Sequence, residues 1–417
     1  MRSWRWWCGP GPIPVWLALA LLAWSGWNWS ANRGLQAEFD RVKAAGLPLR
    51  SAEGAPPPVP DAENAALIYR QAIPLILSPN TEMNVYDFAF RWREPVRPEH
   101  SPQIRAWTEA QSWPLELLRR AASRPRSRWP IDYSRGFSMD LPQLSGINSS
   151  SLLLGCAARF ALERGDRAEA EGDVVACLRL AASFSDDPII FILMFGASSA
   201  TNALHLLASY LSAGGEVTPA LRAAVERLPV GRFQATSARA IANDRAALLE
   251  LLTESYLEGM AAEGAPAATV AVPIGPYIKS DLAHLSRLFH DWIGIASGSP
   301  VVATWKTADL YRRIEEGGLI TRIVMPDQTR MIIGCIQADQ AFDLCRVAVE
   351  GVALARERGA WPDTWPALQS TVDRVLGAPL RVKRDGDEIV IWSVGRDRKD
   401  DGAHKNDDLV LRLLLTR

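Results

Sequence analysis

The chain has 417 residues, 48% of them hydrophobic, a formal net charge of -1 and five cysteines. Such a composition excludes wholesale disorder and leaves room for about two or three domains. The balanced charge gives no general basic footprint for neutralising phosphates, so nucleic acid is not an expected partner.

Arg2 and Arg5 precede an uncharged run, Ile13–Trp29, and Arg33 follows it. As a helix this run spans about 25 Å, against a bilayer core of about 30 Å. Trp4, Trp6 and Trp7 at one end and Trp24, Trp27 and Trp29 at the other suit interfacial belts. Residues 1–33 are read as a transmembrane anchor. The alternative is a cleaved signal peptide with Ala23 and Ser25 at the small-residue site, which Trp24 and Trp27 crowd. Cys8 precedes the run and is not placed as a lipoprotein cysteine. Either reading puts the bulk of the chain outside the cytoplasm. The expectation is a single-pass cell-membrane protein, with a cytoplasmic N-terminus, a periplasmic body and a protein partner of unknown identity.

Residues 34–60 read as a juxtamembrane helix, Leu35–Ala45, and a stiff Pro-rich spacer, Ala55–Pro60. Residues 61–330 read as an α-helical domain. A helix starts at Asp61 and runs through Leu77, with acidic residues suited to its N-terminal dipole. Prolines then break the chain into short helices, Pro102–Gln111 and Pro114–Ser123. Two helical hairpins follow. Leu152–Glu163 and Arg167–Phe184 are joined at Gly165, with Asp166 as the cap. Ala197–Ala213 and Ala220–Leu228 are joined through Gly214 and Gly215, with Thr218 as cap and Pro219 in the first turn. They resemble tetratricopeptide-type units, but the period is not sustained, so an irregular helical stack is expected. Thr236–Gly259 and Tyr277–Trp292 read as helices, and Ala261–Ile274 and Gly294–Val302 as loops. Residues 331–417 read as a small α+β module. It has a long helix, Ile332–Gly359, a short one near Ala367–Leu376, and strands Leu380–Arg384, Glu388–Val394 and Leu409–Leu415, with a turn at Asp385 and Gly386. The fold class is mainly α. Cys156 and Cys177 lie on consecutive helices and can meet, although two buried small hydrophobes is the simpler reading.

The last stretch carries the sharpest signal. Asp397, Asp400, Asp401, Asp407 and Asp408 sit in one loop between two apolar strands, as several oxygen ligands for a hard cation would. Asp397, Asp401, Gly402 and Asp408 stand at EF-hand positions 1, 5, 6 and 12. Lys399 replaces the usual ligand at position 3, and strands rather than helices flank the loop. Carbonyls of Val394 or Ala403 can complete a shell. The opposing reading pairs the acids with Arg396, Arg398, Lys399 and Lys405 in exposed contacts, each contributing little.

Several residues in order carry a resemblance: Arg356-Glu357-Arg358-Gly359, Trp361-Pro362-Asp363, Gly377-Ala378-Pro379-Leu380, Trp392-Ser393-Val394-Gly395, then the acidic loop. This stretch, about a fifth of the chain, resembles the globular end of the type II secretion major pseudopilin. The resemblance implies an antiparallel sheet closed by a structural calcium ion. It does not extend to fibre assembly, since the N-terminal run has no Phe-Thr and no glutamate. The whole chain also resembles functionally unassigned single-anchor envelope proteins of planctomycete-type bacteria, through Asn64-Ala65-Ala66 and the order of its parts.

No catalytic motif with recognised spacing occurs in the sequence. In Ser183–Pro188, Ser185 or Asp186 reads as a helix cap. His284 and His290 fall on different helix faces, His290 and Asp291 are adjacent and so rarely face each other, and Glu254 and Glu258 read as an exposed acidic face. The function expected is extracytoplasmic binding or scaffolding. The alternatives are an envelope hydrolase with an unrecognised site and a secretion or pilus accessory component.

Overall fold

Apolar positions at three-to-four spacing fill most of the chain, and they fold as helices. The computed structural model describes residues 13–79, 84–92, 100–141, 145–262, 265–303, 307–325, 328–395, 399–403 and 408–415. Within these ranges the side chains of 254–262, 265–274, 302, 303, 307–309 and 311 are left out, as are those of 13 and 145.

Helix α1 runs unbroken over Ile13–Ala44. The expected anchor and juxtamembrane helix are one element, because a single Gly34 costs only about 1 kcal/mol inside a helix. Its second half buries Ala31, Glu38 and Val42. There Glu38 meets Arg41 at 3.0 Å and Arg287 at 3.4 Å. Its first half leaves Val15, Trp16, Leu17, Leu19, Leu21 and Leu22 between 50% and 69% exposed.

The expected helix from Asp61 divides. Asp61–Glu63 and Ile73–Leu75 are 3-10 turns around α2, Ala65–Ala72. Pro74 has no N–H to donate and ends the α-helix. Asn64 caps α2 through Oδ1, which accepts from Ala66 N at 3.1 Å. The same side chain accepts from Arg128 N and donates to Arg128 O, both at 2.9 Å. Helices α3 (Val85–Phe90), α4 (His100–Glu109) and α5 (Ser112–Ala122) follow.

The two hairpins form as their turn chemistry dictates. They comprise α6 (Ser145–Glu163) with α7 (Arg167–Ala182), and α8 (Ile190–Ser212) with α9 (Pro219–Glu226). Gly165 takes φ +80 between the first pair, and Asp166 accepts from Glu169 N at 3.0 Å. Thr218 accepts from Leu221 N at 3.1 Å. Helices α10 (Arg232–Ala262) and α11 (Ala265–Ser297) make a long third hairpin. It absorbs most of the first expected loop and the start of the second, residues 294–297, and Pro266 in the first turn is compatible with a helix start. Short helices α12 (Pro300–Ala303), α13 (Thr307–Glu315) and α14 (Leu319–Val324) lead to α15 (Thr329–Arg358). Gly359 at φ +71 ends α15 in the left-handed conformation that favours glycine.

After the short α16 (Pro366–Ser370), β1 (Val372–Asp373) pairs with β2 (Ala378–Pro379). Strands β3 (Arg381–Asp385), β4 (Glu388–Ser393) and β5 (Leu409–Leu414) form an antiparallel sheet in that order. Alternation sends Ile389, Ile391, Leu411 and Leu413 into the main core. Val390 and Trp392 face the other way and join Ala403 in a small second cluster.

The centre is the crossing of α15 with α8. Gly351 lets the Trp365 ring approach so closely that a Cβ there would lie 2.7 Å from it. Trp365 Nε1 donates to Val347 O at 3.0 Å, which ties the C-terminal segment onto the same helix. One continuous core extends from Ala65 to Leu413, so the body and the α+β module share it. Cys156, Cys177, Cys335 and Cys345 are free and buried in it.

Among the described residues one helix is long and apolar enough to cross a membrane, and it is α8 rather than the N-terminal run. Its apolar window is 56% buried, as suits the core helix of a packed stack. Four tryptophans, Ser25, Gly26 and Asn28 lower the hydropathy of the α1 run.

Replacing Asn64 by Ala removes the cap of α2 and both bonds to Arg128. The expected loss is about 2–3 kcal/mol of unfolding free energy. It is read as a lower urea midpoint at unchanged slope, with Asn64→Asp losing less because it keeps the acceptors.

Candidate functional site

The acidic loop is fastened by an arginine. Asp373, fully buried at the end of β1, accepts from Val375 N at 2.9 Å and from Val394 N at 2.9 Å. Arg381 donates to Asp373 at 3.1 Å and to Asp400 Oδ2 at 2.6 Å. Asp400 Oδ1 accepts from Trp392 Nε1 at 2.9 Å and from Gly402 N at 3.1 Å. These bonds, the Trp392 bond first, hold the Asp400 carboxyl below its usual range. The backbone turns at Gly402 and Ala403, with φ of +70 and +65. The Ala403 carbonyl, a candidate ligand, accepts from Arg412 at 3.1 Å.

Asp408 accepts from Gly395 N at 3.1 Å through Oδ1, and its Oδ2 is buried without a hydrogen-bond partner. Burial raises its pKa. Asp401 is exposed. Asp397 and Asp407 lie outside the described residues, as does His404. Among the described residues no group of three His, Cys, Asp or Glu side chains is placed to hold a metal. Among the described residues Asp401 and Asp408 Oδ2 are left over for an ion, fewer than the six to eight oxygens that calcium takes. The described part of the loop does not by itself fit a calcium shell.

Elsewhere, buried carboxylates serve the backbone. Asp339 on α15 accepts from Phe233 N at 3.2 Å and Gln234 N at 2.9 Å, the first turn of α10. Asp281 on α11 accepts from Gly318 N at 3.0 Å and Ile320 N at 2.8 Å, the start of α14. Asp187 accepts from Trp129 N at 3.1 Å and from the Tyr133 hydroxyl at 3.5 Å. Asp173 holds Arg119 at 2.6 Å. Burial pushes Asp187 up to about 7 and Asp173, Asp244 and Asp339 up to about 6.

The other residues singled out in the sequence are dispersed. Ser183 and Ser185 hydroxyls donate to Leu180 O and Ala182 O, within their own turn. Asp186 pairs with Arg232 at 2.7 Å. The expected cap at Ser185 or Asp186 is replaced by an extended Ile189 with no side-chain cap on α8. His284 Nε2 lies 3.0 Å from Arg313 O, and Asp291 pairs with Arg313 at 2.6 Å. Arg313, rather than His290, is therefore the group that Asp291 meets. The side chains of Glu254 and Glu258 lie outside the described ones.

A cleft of about 570 Å³ opens where α6, α8 and α15 meet. Asn148, Ser198, Thr201, Asn202, Gln337 and Arg330 line it, together with Tyr86 and Met194. These groups are neutral donors and acceptors with one cation, a lining suited to a polar, hydroxyl-bearing or anionic ligand. Nearby, the Tyr86 hydroxyl is 3.4 Å from His205 Nδ1. Burial first, and the Arg91 charge second, depress His205 to about 4, so it is neutral at pH 7. Sequence reasoning missed this cleft because its residues span Tyr86 to Gln337 and no short spacing unites them. No family model, curated protein or solved structure matches the chain.

Asp187 binds its proton near pH 7 in the fold and near pH 4 in the unfolded chain. The folded state is therefore favoured as pH falls through that window and loses this contribution as pH rises through it. Urea unfolding of Asp187→Asn should show a flatter dependence of stability on pH between about 4 and 7 than the native chain. Parallel curves would contradict the assignment.

Proposed function

We propose that the protein is a membrane-anchored binding protein whose helical body stands outside the cytoplasm. The observation that carries this reading is the first half of α1. Val15, Trp16, Leu17, Leu19, Leu21 and Leu22 are at least half exposed on a helix whose second half is locked to the body. A bare apolar stretch of that length needs a cover, and a bilayer supplies one on every side of a helix. Arg33 lies over the Trp29 ring, 4.7 Å from its centroid, an arrangement suited to the lipid–water boundary. The polar cleft between α6, α8 and α15 would then be the ligand-facing part. Since α1 continues without a hinge into the packed body, anchor and cleft would move as one unit.

Flotation of the purified full chain with neutral phospholipid vesicles tests the anchor. The native chain should float, and Leu17→Glu with Leu21→Glu should not, each charge costing about 2.5–3.5 kcal/mol at a helix centre. Equal flotation of the variant would remove the reading.

A calcium ion at the acidic loop is a second proposal, favoured by the orphaned Asp408 Oδ2. It would draw on Asp397, Asp401, Asp407 and Asp408. The full chain should then melt higher in millimolar calcium than with chelator. An unchanged midpoint would dispose of the ion.

A further inference from the structure

A second cleft, of about 300 Å³, opens where the ends of α7 and α9 meet the segment after α5 and the side of α2. Five arginines line it: Arg124, Arg126, Arg179, Arg227 and Arg232. The lining holds one acid, Asp186, which Arg232 occupies at 2.7 Å. Arg126 lies 3.6 Å from the half-buried Glu63, and Arg124 donates to a main-chain carbonyl, that of Asp61, at 3.4 Å. Among the described residues Arg179 and Arg227 have neither hydrogen bonds nor ion pairs from their guanidinium groups. On a chain of net charge -1, five arginines against the acids Asp186 and Glu63 make a local excess of positive charge.

Two buried hydroxyls in the same lining are also unpartnered. Tyr69, fully buried, has no hydrogen-bond partner for its OH, and neither does the buried Ser127 Oγ. A buried hydroxyl without a hydrogen-bond partner is costly, so two in a lining with a pair of free guanidinium groups call for a common acceptor. Burial first, and then the neighbouring Arg227 charge, hold the Arg179 guanidinium below the usual arginine range. Like charges brought together without an anion are strained, and an anion between them relieves that strain.

We infer that this cleft binds a tetrahedral oxyanion carried as a monoester, a phosphate or a sulfate, between Arg179 and Arg227. The donor set points to that class. Planar guanidinium forks pair with oxyanions through two parallel bonds. Two forks and two hydroxyls exceed what one carboxylate can accept in good geometry, and the three terminal oxygens of a monoester match them. The volume exceeds that of a bare anion. Val59, Ala65 and Pro229 supply an apolar wall for the organic part of the ester. The site lies apart from the α6, α8 and α15 cleft and is independent of membrane anchoring, so either reading can fail alone.

Calorimetric titration and thermal unfolding of the full chain test it. The probes are inorganic phosphate, inorganic sulfate, phenyl phosphate and phenyl sulfate, with chloride at matched ionic strength as control. A phenyl ester should raise the melting temperature saturably and bind at least tenfold tighter than its inorganic anion, and the tighter ester identifies the source. Arg179→Gln with Arg227→Gln should weaken binding at least tenfold. Should that pair fail to fold, Arg179→Lys with Arg227→Lys keeps the charge without the forks and should still lose most of the affinity. Tyr69→Phe should melt higher than the native chain when empty and bind the ester more weakly, a combination that a merely structural hydroxyl would not give. Equal stabilisation by chloride, or unchanged affinity in the arginine variants, would overturn the site. Equal affinity for ester and inorganic anion would overturn the ester.

Discussion

Buried helix ends are the constraint on which this structure depends. The first N–H groups of a helix have no partner within it, and a helix that starts inside a stack has no water to supply one. Here distant carboxylates supply the acceptors. Asp339 reaches from the middle of α15 to the start of α10, and Asp281 from α11 to the start of α14. Glu350, also on α15, accepts from Ala367 N at 3.0 Å, at the start of α16. Each bond fixes where one helix begins relative to the face of another. Negative charge at a helix N-terminus also meets the positive end of the helix dipole.

The same device closes the C-terminal sheet. Asp373 takes N–H groups from its own turn and from Val394 at the end of β4, and Arg381 extends this to Asp400 and Trp392. The cation that Asp400 meets is thus a side chain of the sheet itself. The loop's best-placed carboxylate is engaged in holding Arg381 between two acids. Because α15 lies in the core of the body as well as beneath this sheet, the two parts fold around one helix.

Buried carboxylates that organise the backbone differ from polar groups left without a partner. Asp339, Asp281, Asp373 and Asp187 are buried acids with main-chain donors, and their role is visible in those donors. Tyr69 and Ser127 have buried hydroxyls without any, in a lining shared with Arg179 and Arg227, which pair with no acid among the described residues. Other buried polar atoms also lack partners, Ser151 Oγ and Ser199 Oγ among them; the Tyr69 and Ser127 hydroxyls differ in lying in the lining of an arginine-rich cleft. Tyr69 on α2, Ser127 after α5, Arg179 on α7 and Arg227 after α9 belong to elements that are adjacent only because the hairpins stack.

Much of the fold was legible in the sequence because its signals are local. Gly165 and Asp166, Thr218 and Pro219, and Gly359 mark helix boundaries through their own φ preferences and side-chain acceptors, which act within a few residues. The turn at Gly386 and the alternation of β4 and β5 are equally local. The unbroken α1 and the helix through Ala265–Ser297 were not legible, because Gly34 in the one and Pro273 and Pro276 in the other read as breaks, yet the fold carries both helices through them. The acidic loop was visible as charge, but its engagement by Arg381 depends on a sheet register. Neither cleft had a sequence signature. A site assembled from Tyr69, Ser127, Arg179 and Arg227 exists only once four separate elements meet, so the sequence determined which helices form and the tertiary structure alone decided which donors were left without a partner.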